Sequence, residues 1–260
     1  MPFITVGTEN SAPIALYYED HGSGQPVVLI HGFPLSSTAW EKQVPPLLAA
    51  GYRTIAYDRR GFGKSSQPGT GYEYDTFAAD LNALMQELDL RDVVLVGHSM
   101  GTGEVTRYLG AYGSGRVSHA VLISPIPPFL LKTADNPDGV DQSVFDGFMQ
   151  MIRNDRYAYQ TRFLNDFFNY DQTKGKQVSE EAYHANWSLA ISASAIGTLA
   201  AIKTWETDFR PDLPAIDIPV LIIHGDADRV LPYPKTAQRL QDMLPNSQLL
   251  TLPGAPHAIP

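Results

Sequence analysis

Hydrophobic positions along the chain follow two rhythms. Continuous apolar runs recur at "PVVLIH" (26–31), "RTIAYD" (53–58), "DVVLVGH" (92–98), "HAVLIS" (119–124) and "PVLIIHG" (219–225). Unbroken runs of this length, rich in Val, Ile and Leu, predict strands of a parallel sheet covered on both faces. Between them the period changes. In "YDTFAADLNALMQELDL", Phe77, Leu81, Leu84 and Leu88 recur at steps of four, three and four, which is one face of a helix. Strand and helix in alternation predict an α/β fold. The front end, "FITV" and "IALYYED", alternates better and predicts an antiparallel edge. From about residue 125 to 215 the rhythm breaks. After "SPIPPFLL" the chain turns aromatic and helical, carrying Phe145, Phe148, Tyr157, Phe163, Phe167, Phe168, Trp187 and Trp205, until "PDLPAIDIP" restores the strand pattern. The expected organisation is therefore a core from 1–124 and 216–260 with a helical cap inserted at 125–215.

Composition narrows this picture. With 43% of 260 residues hydrophobic, the chain can bury a large core as one domain carrying an insertion. Nineteen Lys and Arg against 28 Asp and Glu leave a net charge of −9, and no basic run interrupts it. That balance argues against nucleic acid or an acidic membrane surface as a partner and favours small neutral or cationic ones. The absence of cysteine excludes disulfides, thiolate metal sites and a cysteine nucleophile. The start "MPFITVGTEN" has no charged segment leading into an apolar one, and no stretch approaches the length of a membrane span, so the expected location is the cytoplasm.

Candidate chemistry enters at "VVLVGHSMGTGEV". Gly97-His98-Ser99-Met100-Gly101 is a G-x-S-x-G motif directly between a predicted strand and a predicted helix, where a strained turn would hold the Ser99 hydroxyl out and the glycines make room for the bend. The bland alternative is a glycine-rich helix start with a capping serine. A serine nucleophile needs a base, and the base an orienting carboxylate. In the order Ser, acid, His, the candidates are "DADRVLP" after the strand at 219–225 and His257 in "TLPGAPHAIP". Asp228 is the favoured acid, and Asp226 is left to shape the turn. A tetrahedral intermediate also needs donors for its oxyanion. The backbone N–H of Met100 supplies one, and the His31-Gly32 turn after the first parallel strand would direct that of Phe33. His31 and His98 adjoin this site as structural residues; His21, His119, His184 and His224 read as surface or core positions. No set of histidines has metal-ligand spacing, and "GFGKSS" lacks the frame of a phosphate loop.

"HGFPLSSTAW", "YDRRGFGKSSQP", "GHSMGTGEVTRYL" and "HGDADRVLP" together resemble, nearly phrase for phrase, the cofactor-free bacterial haloperoxidases of the α/β-hydrolase fold, relatives of perhydrolases, aryl esterases and γ-lactamases. The resemblance runs from the N-terminus to residue 260. It implies an ester or lactam hydrolase with a triad of Ser99, Asp228 and His257 and an oxyanion hole at Phe33 and Met100. Such an enzyme also makes a peracid from a carboxylic acid and hydrogen peroxide, with no haem, metal or flavin. The expected partners are a small acyl substrate and peroxide, and a homo-oligomer is compatible with this reading. The expected acyl pocket is lined by Phe33, Met100, Ile126, Phe148, Phe163, Phe167, Trp205 and Val230. Pro34 matches an H-G-x-P arrangement in which the bond before proline is often cis. A C–C bond hydrolase of the same fold and a non-catalytic ligand receptor remain as alternatives. The resembled family continues past its triad histidine into one more helix, whereas this chain ends at Pro260. The expectation is a truncated chain of low stability and weak activity, since apolar sheet surface uncovered at about 25 cal/mol per Å² adds up to several kcal/mol.

Overall fold

The computed structural model describes residues 2–260. The alternating front end forms β1 (Phe3–Glu9) and β2 (Ala12–His21), joined by a tight turn. Then come β3 (Pro26–Ile30), α1 (Val44–Ala49), β4 (Arg53–Tyr57), α2 (Tyr74–Glu87), β5 (Val93–His98), α3 (Met100–Tyr112) and β6 (Val117–Ile123). Helices α4 (Gln142–Phe168), α5 (Tyr170–Thr173), α6 (Glu180–Ser192) and α7 (Ala195–Thr204) separate β6 from β7 (Val220–Gly225), and α8 (Ala237–Met243) leads to β8 (Ser247–Leu252). The strands make one sheet in the order β1-β2-β4-β3-β5-β6-β7-β8. Pairing is antiparallel at β1–β2 and β2–β4 and parallel from β4 through to β8. All five residues of β3 are buried, as an interior parallel strand requires.

Side chains alternate across the sheet. One face sets Val28, Ile30, Leu95 and Leu122 against the helix face that the periodicity of α2 predicts, Leu81 and Leu84 among its residues, and against α3. The opposite face sets Val27, Leu29, Val96 and Ile123 around Trp40. This second face carries an open apolar groove of about 440 Å³ over Val27, Leu29, Val94, Val96 and Val121.

Because the interior strands are parallel, the loops leaving β3, β5, β7 and β8 emerge at one edge of the sheet, where ligands of open α/β sheets bind. The segment between β6 and β7 lies over that edge. Its Phe145, Phe163, Phe167 and Trp205 share one apolar cluster with Phe33, Leu35 and Phe62 of the core loops. Each such side chain contributes about 2–3 kcal/mol on burial, so the helices are held down by their aromatic residues. Helix α4 breaks at Asp155 (φ −157°, ψ 95°), whose carboxylate accepts the N–H groups of Tyr157 and Ala158 and caps the second half. Among the described residues no single helix is long and apolar enough to cross a membrane.

Candidate active site

The turn from β5 into α3 puts Ser99 at φ 53°, ψ −118°, a conformation that a non-glycine residue adopts only under constraint. The constraint is backbone packing. A Cβ on Gly97 would lie 2.6 Å from the Gly101 carbonyl oxygen, and one on Gly101 would lie 2.3 Å from that of Ile30. Only glycine lets strand, turn and helix approach so closely. The serine side chain is thereby held at the sheet edge, and Ser99 is 5% exposed.

Asp228 and His257 meet there from the loops after β7 and β8. His257 Nδ1 lies 2.6 Å from Asp228 Oδ2, with both side chains fully buried. Asp228 Oδ1 accepts the N–H groups of Val230 and Leu231, each at 2.8 Å, and Oδ2 also faces His224 Nε2 at 3.1 Å. Burial alone would raise the pKa of this carboxyl, but His257 and the hydrogen bonds from His224 and His257 outweigh it and hold it well below the usual carboxylate range. Asp228 is therefore an anion tied by four contacts. Asp226, two residues earlier, is exposed and accepts the Gly254 N–H at 2.6 Å, which closes the turn.

The loop carrying His257 is fixed from three sides. His98 Nε2–H donates to the His257 carbonyl (3.0 Å), Ser124 Oγ–H donates to the same oxygen (3.4 Å), and Ala258 N–H donates to Phe167 O on α4 (3.0 Å). Gly225 lets the loop close on β7: a Cβ there would lie 2.2 Å from Ala255 O. Burial, with the neighbouring His257 adding to it, pushes the pKa of His98 down to about 3, so its ring is neutral. The Nε2 of His257 is buried and has no hydrogen-bond partner among the described residues. That nitrogen is therefore open to a hydroxyl.

Gly32 brings the loop after β3 against the elbow, since a Cβ on it would lie 2.9 Å from Ser99 Cβ. The next bond, Phe33–Pro34, is cis. Met100 is the first residue of α3, where the N–H has no intrahelical acceptor. Among the described residues neither the Phe33 nor the Met100 amide donates to another group.

A cavity of about 230 Å³ opens beside Ser99. Of the residues expected to line it, Ile126, Phe148, Phe163, Trp205 and Val230 do. Phe33, Met100 and Phe167 do not. Phe33 is 1% exposed, wedged edge-on between Phe62, Phe163 and Trp205, and Met100 is wholly enclosed at the start of α3. Phe167 turns its ring onto His98 and His257 instead. The lining also includes Tyr159, Arg162 and Asp166, which sequence reasoning missed. Tyr159, Arg162 and Asp166 follow one another at steps of three and four, which is the available signal, for it puts them on the same side of α4. His224, expected at a surface or core position, is buried against the carboxylate of Asp228.

Comparison with known proteins places the chain among enzymes of one kind. A family model described as alpha/beta hydrolase fold matches residues 25–260. A Synechocystis sp. protein, whose name places it with the non-heme chloroperoxidases, is 65% identical over 259 residues, covering 100% of this chain and 94% of the relative. A bifunctional esterase/perhydrolase of Acinetobacter calcoaceticus is 36% identical over 251 residues, covering 95% and 91%. The crystal structure of bromoperoxidase from Bacillus anthracis superposes with a TM-score of 0.94 at 47% identity, covering 99% of this chain and 93% of that one.

Proposed function

Because the chain belongs to the α/β-hydrolase fold family and, within it, to the non-haem haloperoxidases, we propose that it is a serine hydrolase and perhydrolase in which Ser99, His257 and Asp228 act as nucleophile, base and orienting acid. The observation that carries the assignment is the fully buried Asp228–His257 pair packed on His98, the residue before a serine held at positive φ. In this reading 125–215 forms a cap over a core of 1–124 and 216–260. The cap contributes Ile126, Phe148, Phe163 and Trp205 to the acyl pocket, and the core contributes Val230.

The reaction follows from the parts. Ser99 Oγ attacks the acyl carbon and its proton passes to His257 Nε2, while Asp228 stabilises the imidazolium. The oxyanion is received by the amides of Phe33 and Met100, whose N–H groups have no other acceptor among the described residues. His257 then protonates the leaving alcohol, or the leaving hydroxide when the substrate is a carboxylic acid. Water attacking the acyl-enzyme restores the acid, and hydrogen peroxide gives the peracid; in both cases the proton of the nucleophile returns to Ser99 through His257. In solution a peracid and a halide ion yield the carboxylate and the hypohalous acid, so halide needs no site on the protein.

Both outcomes share one acyl-enzyme. Ser99→Ala is expected to abolish p-nitrophenyl acetate hydrolysis and peracid formation together, by a factor on the order of 10⁴ or more, and to lose labelling by a serine-directed phosphonate. Bromination by the variant above the enzyme-free background of peroxide and acetate would exclude the common intermediate.

A further inference from the structure

His31 directly follows β3 and is 1% exposed. Its Nε2 lies 3.0 Å from the backbone nitrogen of Arg59. A backbone N–H can only donate, so Nε2 is the bare acceptor and the ring proton resides on Nδ1. That Nδ1–H donates to the Gly32 carbonyl at 2.9 Å, and Leu35 N–H donates to the same oxygen at 3.1 Å. The Gly32 carbonyl and the Phe33 N–H belong to one planar trans peptide and point in opposite directions. Anchoring the oxygen therefore sets the direction of the N–H. Two hydrogen bonds to the oxygen also polarise the peptide and strengthen its N–H as a donor. The anchor matters at this place, because Gly32 lacks the side chain that would resist rotation of the plane.

The histidine is itself held from behind. Arg59 Nη2 donates to the His31 carbonyl at 3.0 Å, and Arg59 Nε donates to Glu104 Oε2 on α3 at 2.7 Å. The other oxygen of Glu104 accepts the Tyr57 hydroxyl, and the guanidinium packs over the ring of Phe77. Arg59 is 1% and Glu104 0% exposed. A pair buried so deeply loses much of its Coulomb gain to desolvation, and apolar side chains of similar volume often serve stability as well. Stability therefore does not account for it, whereas the fixed position of His31 does. Burial, with the Arg59 charge adding to it, drives the pKa of His31 well below its ordinary value, so the ring stays neutral.

Resting on the reading of Ser99 as nucleophile and the Phe33 amide as oxyanion donor, we propose that His31 is a positioning residue of the oxyanion hole, fixing the Gly32–Phe33 peptide through Nδ1–H, with Arg59 and Glu104 holding it in the required tautomer. The discriminating variants differ in which ring atom they replace. In His31→Asn the amide nitrogen comes close to the place of Nδ1 and can donate to the Gly32 carbonyl; in His31→Gln the amide reaches the place of Nε2 and that donor is lost. For ester hydrolysis the Gln variant is expected to lose roughly 10- to 100-fold in kcat, short of the loss of a whole oxyanion donor, with KM within about threefold. Its affinity for a boronic acid transition-state analogue should fall in step. The Asn variant should recover most of the loss. A histidine that merely filled space would leave Asn no better than Gln, and that result, or a loss confined to KM, overturns the proposal. Nitrogen-15 NMR of the wild-type protein decides independently of how the variants fold. A protonated Nδ1 with a bare Nε2 on His31 is expected, and the opposite tautomer refutes it. Ser99→Ala is measured alongside: if it stays active the hydrolase reading itself fails, and if it is inactive while Asn and Gln are equal, only the role of His31 falls.

Discussion

Asp226 and Asp228 lie two residues apart in "GDADR", and their surroundings separate them. Asp226 faces solvent and closes a turn on Gly254. Asp228 is enclosed, receives two backbone N–H groups, and touches both His224 and His257. Asp228→Asn would put an amide N–H or a neutral oxygen where the imidazolium needs an anion, so turnover should fall on the order of 10⁴-fold. Asp226→Asn keeps an acceptor for Gly254 and should cost less than about tenfold. The comparison is kcat of the two purified variants on p-nitrophenyl acetate, and a reversed order would move the acid role to Asp226. The places of Ser99 and His257 at the sheet edge were readable in the chain, since an elbow motif and a strand-end histidine are local signals. Their neighbours were less so: His224 lies only four residues before Asp228, but the turn between them decides that the two side chains meet, and the spacing of Tyr159, Arg162 and Asp166 gives them one helical side without saying that it is the side turned to the cavity.

At the scale of the element, the docking of α3 on β3 depends on Gly101. The Ile30 carbonyl that a Cβ would strike belongs to an interior strand and cannot retreat as a flexible side chain would. Gly101→Ala is therefore expected to destabilise the fold by about 3 kcal/mol, the upper part of the range for overpacking, measured as a lower urea midpoint with little change in slope. A loss under about 1 kcal/mol would show that the elbow can open at small cost. The strands of the sheet were legible as unbroken apolar runs, and α2 as one helical face. The break of α4 at Asp155 was not: helical pattern continues through it, and the interruption depends on how the two halves meet the apolar cluster beneath them.

At the scale of the whole molecule, two histidines are buried in the neutral form. Burial lowers the pKa of His98 to about 3 and that of His31 well below 6.5. In the unfolded chain both rings take up a proton below about 6.5, and in the folded chain they do not. The unfolded state thus binds more protons, and stability declines as pH falls, by about 1.4 kcal/mol per pH unit for each ring. Asp228 acts in a lower window, since a depressed carboxylate loses its contribution only as pH falls below its ordinary 3.8. Urea unfolding between pH 7 and 5 should show the decline, and His98→Asn should make it shallower by the share of one ring. A stability that stays level from pH 7 to 5 would mean that the buried rings accept protons without unfolding.

Strand periodicity, the G-x-S-x-G elbow and the order of Ser, Asp and His are properties of near neighbours along the chain. They were enough for the α/β architecture, the sheet edge where chemistry gathers and the residues proposed to carry it. The cavity wall is different in kind. Phe33 and Met100 were expected to face substrate, yet both are enclosed, because three aromatic rings close on Phe33 and the first turn of α3 packs Met100 inward. The direction of the Phe33 amide likewise rests on a tautomer set by Arg59, 28 residues from His31, and through Arg59 on Glu104, a further 45 residues along. Contacts of that range exist only once the parallel strands have brought their loops to one edge, so no local pattern encodes them.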